Sequence, residues 1–184
     1  MKSIKSSGED QLNWIQPKAI QQIFELRGNE DLYAALIFPK SLGSLAEAEA
    51  SNGKWTFKRV GFFNVSITIR EVGKETDLAV YKPKRMSYSG SIEFANNKIF
   101  HWQSSNFWST KFEFQDENNN TVVAFKSGIE EPKLKDWFKT QARVEIPELA
   151  KNLPELELLI LFGWYLIIAL QLDSSAGAVV AAAS

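Results

Sequence analysis

Leu-Leu-Ile-Leu-Phe-Gly-Trp-Tyr-Leu-Ile-Ile-Ala-Leu, residues 158–170, is an apolar run that follows a long series of short β-type segments. A helix of this composition is apolar on every side, so lipid or protein must surround it. Length favours protein: thirteen residues rise only about 20 Å, whereas a bilayer core is about 30 Å thick and calls for about 20 residues. Widening the segment to 156–172 admits Glu157 and Gln171. Trp164 and Tyr165 sit in the middle of the run, where a core uses them, instead of at the two ends where membrane spans carry aromatic belts. Gly163 lowers helix propensity by about 1 kcal/mol relative to Ala, which implies a neighbour that approaches the backbone closely. Lipid makes no such demand. The run therefore reads as a buried core helix, and no transmembrane span is expected.

The rest of the chain supplies what surrounds it. From residue 12 to residue 146, apolar and polar residues alternate in short segments, as in antiparallel strands with one wet face. Val65, Ile67 and Ile69 alternate with Ser66, Thr68 and Arg70; Ile92 and Phe94, Phe112 and Phe114, and Val144 and Ile146 do the same. Ala46 to Ala50 also reads as a strand. Asn52-Gly53, Gly73-Lys74, Asn96-Asn97 and Asn118-Asn119-Asn120 are residues that tolerate the left-handed conformations of tight hairpins. A sheet of this many strands removes its edges by closing on itself. About eight strands are filled by their own side chains, while eleven or twelve leave room for a helix about 10 Å across. The expected fold is mainly β: a closed antiparallel barrel of about twelve strands enclosing the hydrophobic C-terminal helix. Residues 1–10 are expected as a flexible tail, 11–172 as the barrel with its central helix, and 173–184 as a small-residue tail or an extension of the helix. Pro154 suits the first turn of that helix, and Glu155 and Glu157 lie at the favourable end of its dipole.

Bulk properties bound the function. The 184 residues include 21 Lys and Arg against 22 Asp and Glu, a net charge of -1, so no overall field draws nucleic acid. The absence of cysteine excludes disulfides, thiolate metal sites, a cysteine nucleophile and palmitoylation. With no apolar segment after Lys2 and Lys5, the N-terminal residues are not a secretory signal, and a cytoplasmic location, peripheral at a membrane, is expected.

The segment Leu153-Pro154-Glu155-Leu156-Glu157-Leu158-Leu159, the Leu-Phe-Gly-Trp-Tyr-Leu stretch at 161–166 and the strand from Gly53 to Gly61 resemble the Tubby C-terminal-like superfamily. That group includes phospholipid scramblases and plant LURP-one-related proteins. The resemblance covers about residues 12–172 and implies a twelve-stranded barrel around a central hydrophobic helix. It also implies three functional directions: phosphoinositide-dependent tethering, membrane association with lipid movement, and a regulatory role. The chain departs from the scramblase pattern in having no cysteine for acylation and no acidic calcium loop. Asp116 and Glu117 precede three asparagines without the oxygen-ligand spacing of a calcium site, so a hairpin turn accounts for them better.

Among residues with chemistry to offer, Lys82-Pro83-Lys84-Arg85 places three cations in four positions, and Lys58-Arg59 is a second basic pair. Arginine meets phosphate oxygens in a bidentate fork and lysine as a point charge, so these five cations are the expected ligand-binding residues. The bland alternative is a solvated turn. His101 is the only histidine and has no nucleophile-elbow or metal-binding motif beside it. Glu93, Glu113 and Glu145 are expected as carboxylates on exposed strand faces. His101-Trp102 and Phe107-Trp108 read as hairpin core. No catalytic residue, cofactor or metal is expected. The expected function is a non-catalytic module that binds an anionic phospholipid headgroup or a protein partner, with a structural or regulatory adaptor as the alternative.

Overall fold

A computed structural model describes residues 1–7, 11–18, 20–40, 43–84, 87–105, 111–127 and 141–182, with side chains to Ser174. The alternation is realised as β1 (Leu12–Ile15), β2 (Ile23–Gly28), β3 (Asp31–Ile37), β4 (Leu45–Ala50), β5 (Gly53–Val60), β6 (Ser66–Glu71), β7 (Ala79–Pro83), β8 (Gly90–Phe94), β9 (Ile99–Ser104), β10 (Lys111–Gln115), β11 (Thr121–Ser127) and β12 (Ala142–Glu145), followed by the helix α1 (Leu156–Ala182). Each strand is antiparallel to its neighbours in chain order, and β1 closes the ring on β12 through Leu12↔Val144 and Trp14↔Ala142. Asn97 and Asn119 take the left-handed φ their turns require, as does Gly73.

α1 runs inside this ring. Its side chains are buried on all sides from Leu156 to Ile168, apart from the side-chain-free Gly163. The stretch Leu156–Ser174 has the length and composition to cross a membrane, yet 67% of its most apolar window is enclosed by the barrel. Eleven large apolar side chains of α1 are buried, worth roughly 15 to 35 kcal/mol of transfer free energy at about 1.5 to 3 kcal/mol each. That exceeds the total stability of about 5 to 15 kcal/mol typical of a domain, so wall and helix are stable only together. A Cβ on Gly163 would lie 2.5 Å from the Phe125 ring and 3.1 Å from Trp102, both buried. The close approach anticipated at this glycine is therefore to the aromatic wall. Trp14 stacks on Trp164 at 5.5 Å and Phe38 on Tyr165 at 5.6 Å, joining helix to wall by aromatic contacts.

Because an antiparallel meander reverses at every turn, its connections fall alternately at two ends. The connections after β2, β4, β6, β8 and β10 lie where α1 begins, as the contacts of Ser51 with Glu157 and of Lys98 with Glu155 establish. Those after β1, β3, β5, β7, β9 and β11 lie where α1 emerges, beside the Ser44–Tyr165 and Arg59–Asp173 contacts. The first is termed the closed end because Ser3 and Ile4 cover Glu157 there, although a cavity of about 340 Å³ lies beside Glu155, and the second the mouth.

At the closed end, residues expected to be a loose tail carry an anchor. Ile4, in a 3-10 turn over Ile4–Ser6, is 2% exposed, and Ser3 Oγ and the Ile4 N–H donate to Glu157 at 3.2 and 3.3 Å. Glu113 is a correction to the expectation of an exposed carboxylate. It is 6% exposed, and its Oε1 accepts from Gln103 at 3.5 Å and Gln115 at 2.8 Å. Period-two alternation assigns it to the outer face of β10 but does not say whether that face is covered. Backbone of α1 is helical through Ala182, so the helix extension, not a separate tail, occupies residues 173–182.

Candidate functional site

The five expected cations separate according to strand parity. On β5, Trp55 and Phe57 face inward and Lys58 outward, so Arg59 turns back toward the interior. It meets α1 there: Arg59 donates to both carboxylate oxygens of Asp173, at 2.7 and 3.2 Å. Hydrogen bonding to Asp173 raises the Arg59 pKa above its ordinary value, against the opposing effect of burial. The sequence neighbours Lys58 and Arg59 thus do different work: one is on the outer wall, the other ties the wall to the helix at the mouth.

Lys82 points outward from β7 and pairs with Glu93 of β8 at 3.1 Å. Lys84, one residue past β7, is exposed. Arg85 lies outside the described residues. The register brings Lys58 and Lys82 to one face: Lys58 lies opposite Thr68, Thr68 opposite Val80, and Lys82 one period further toward the mouth. Two inter-strand steps and one strand period put their Cα atoms about 12 Å apart. Lys84 continues the same row toward the mouth. The wall over β5–β7 therefore gathers Lys58, Lys82 and Lys84, from two segments the sequence leaves unconnected.

The connections at the mouth carry the same sign. Their described residues include Lys18, Lys40 and Lys84 and no Asp or Glu. The connections at the closed end carry Glu30, Glu75, Asp77, Asp116, Glu117 and Glu148, with Lys74, Lys98 and Lys151 among them. Among the described residues, the connections are thus polarised along the barrel axis, although the net charge is only -1; Glu130, Glu131 and Asp136 of the β11–β12 connection lie outside the described residues.

A cavity of about 160 Å³ opens beside the emerging helix, lined by Tyr81, Trp102, Leu166, Ile167 and Leu170 with the Arg59–Asp173 pair at its edge. Burial raises the pKa of Tyr81, and raises that of Tyr165 to about 12, where nearby Arg59 opposes and Asp173 reinforces the effect. Tyr165 Oη donates to the Ser44 carbonyl at 2.8 Å. These hydroxyls therefore act as neutral packing and hydrogen-bonding groups at physiological pH.

His101 is exposed on the outer face of β9, between Ser91 and Gln115 of the flanking strands. Trp102 is 4% exposed and stacks on Phe112 at 5.3 Å, which makes it core; Phe107 and Trp108 lie outside the described residues. The Asp116 carboxylate accepts from Asn118 N, Asn120 N and Asn120 Nδ2 at 2.8 to 3.0 Å. These bonds, the Asn120 side chain first, lower its pKa, and they spend its acceptors on its own turn.

Periodicity does not single out a pair of adjacent exposed phenylalanines. Phe62 and Phe63, in the β5–β6 connection at the mouth, are 88% and 93% exposed. The available signal was an apolar pair in a turn context, between Gly61 and Asn64, where neither strand nor helix periodicity offers a buried face. Comparison with family models, with curated proteins and with solved structures finds no match.

Proposed function

We propose that this chain is a Tubby-like, non-catalytic binding module that recognises anionic phospholipid headgroups from the cytoplasmic side of a membrane. The observation that carries the reading is the exposed row of Lys58, Lys82 and Lys84 on the β5–β7 wall, leading to a mouth whose described connections hold lysines and no carboxylate. Headgroup phosphates are met there by point charges, with no competing acid among the described residues of those connections. Arg59 is held in a two-bond pair with Asp173 and belongs to the architecture of the mouth, whereas Lys82 makes a single exposed contact with Glu93 that a phosphate can displace.

Co-sedimentation with vesicles containing anionic phosphoinositide, compared with neutral phosphatidylcholine vesicles, tests the reading. Each lysine near an anionic surface contributes about 1 kcal/mol, so a folded Lys58→Gln, Lys82→Gln, Lys84→Gln triple variant is expected to bind roughly a hundredfold more weakly. Added salt should weaken the wild type as the Debye length falls from about 10 Å at 0.1 M toward 3 Å at 1 M. Absence of wild-type binding at low salt, or equal binding by the triple variant, discards the headgroup site in favour of an adaptor that binds no lipid.

A further inference from the structure

Solvent-exposed phenylalanine is ordinary when scattered singly, but the β5–β6 connection presents two in succession. The two rings pack edge to face with centroids 5.1 Å apart, so the pair forms one compact apolar tip. Gly61 sets the turn beneath them. Its φ is +85°, and a Cβ there would lie 2.3 Å from the Asn64 carbonyl oxygen, so only glycine fits. Two more apolar groups stand at the same end on separate connections: Ile20, 95% exposed, between β1 and β2, and Tyr88, 56% exposed, between β7 and β8.

We infer that the mouth rim is a membrane-inserting surface: Phe62 and Phe63 enter the interfacial region of an anionic bilayer, with the barrel standing end-on to it. The inference rests on the headgroup reading and adds its orientation and depth. Charge complementarity selects the occupant. The apolar groups sit on three connections spread around a rim whose described connections otherwise hold Lys18, Lys40 and Lys84 and no carboxylate, while the Asp173 carboxylate of the emerging helix is paired with Arg59. A bilayer offers anionic phosphate with apolar chains just beneath, so lysines and phenyl rings are satisfied at successive depths. A protein partner of ordinary kind asks instead for a contiguous apolar centre bounded by a polar rim. The helix is compatible with this orientation: beyond Asp173, its backbone continues through residues 174–182 without an ionisable residue, a rise of about 13 Å. No charge on that segment has to be desolvated at the interface.

The chain has no cysteine, so a single introduced thiol can be labelled uniquely. An environment-sensitive fluorophore on Phe63→Cys, and in a separate protein on Glu75→Cys at the closed end, reports depth with vesicles of phosphatidylcholine and phosphatidylserine. The expected result is a blue shift and lipid-quencher accessibility at position 63 only. In unlabelled protein, a folded Phe62→Ser, Phe63→Ser variant should lose at least about tenfold in vesicle partitioning at 0.5 M salt, where the apolar part of binding dominates. If the protein binds while the label at 63 stays aqueous, or if the double variant binds equally, rim insertion is overturned and the headgroup site stands. A concentration-dependent shift at 63 without vesicles assigns the rim to a second copy of the chain and also overturns insertion. Failure of the wild type to bind anionic vesicles removes both readings.

Discussion

The two ends of the barrel are built on opposite terms. At the closed end, Glu155 and Glu157 are buried at the start of α1 and supplied with donors from distant segments: Lys98 and Asn96 for the first, Ser3, Ile4 and Ser51 for the second. The connections there include the tight turns at 29–30 and 51–52. At the mouth, the Arg59–Asp173 pair is partly exposed and two phenyl rings point into solvent. A buried carboxylate must be hydrogen-bonded because desolvation penalises it heavily, whereas an exposed phenyl contributes little to folding. The closed end is therefore where sequence serves stability, and the mouth is where sequence is free to serve binding.

The largest test of this contrast is a pair of truncations. Deletion from Leu156 onward removes the burial that balances the wall and should abolish folding, leaving no cooperative thermal transition. Deletion from Ser174 onward leaves in place every residue of α1 buried among those whose side chains are described, and should retain a melting transition close to that of the full chain. If the first truncation folds, the wall does not need its helix. Between the two ends, Gly163→Leu forces a side chain into the Phe125 ring. Overpacking costs about 1 to 3 kcal/mol, or more where the neighbour is boxed in, against about 1 kcal/mol gained in helix propensity. At about 2 to 4 °C per kcal/mol for a chain of this size, the melting temperature should fall by several degrees. An unchanged value would show that the wall yields.

A direct comparison of the ends comes next. Glu157→Ala strands Ser3, the Ile4 N–H and Ser51 without their acceptor and should cost about 1 to 3 kcal/mol in urea unfolding. Phe62→Ser with Phe63→Ser should change stability by no more than about 0.5 kcal/mol. Comparable losses from the two would erase the contrast. The smallest effect is alkaline. Burial holds the folded-state pKa of Tyr165 up to about 12, whereas an unfolded tyrosine ionises near about 10. A raised folded value means that stability is fully present below the unfolded pKa and is lost as pH rises through the interval from about 10 to about 12. Tyr165→Phe should flatten part of that loss and, at neutral pH, remove the bond to Ser44, worth about 1 kcal/mol. An alkaline unfolding profile identical to wild type would show that this hydroxyl is not what resists ionisation.

Much of the fold could be read before any coordinates. The apolar run at 158–170, the period-two segments and the asparagine and glycine turns each follow from local sequence, because apolar periodicity and left-handed φ are properties of a few neighbouring residues. Gly163 could be singled out for close packing for the same reason, though not the ring it packs against. The candidate site was only partly legible. Lys58 and Arg59 are adjacent in sequence yet opposite in direction, while Lys58 and Lys82 are distant in sequence yet share a wall. Phe62 and Phe63 look like any apolar pair until the strands on either side are placed.

Sequence alone thus determined that a succession of strands fills residues 12–146, where several of them turn, and that an apolar helix had to be enclosed. Tertiary structure decided that Glu157 is buried beneath Ser3 and Ile4, that Glu113 is covered, and that the described connections hold lysines and exposed phenyls without carboxylates at one end and the acidic residues at the other. The physical reason is register. Closing twelve strands into a ring fixes which distant residues meet and which end each connection occupies. Burial and charge distribution follow from that long-range arrangement, which no short window of sequence contains.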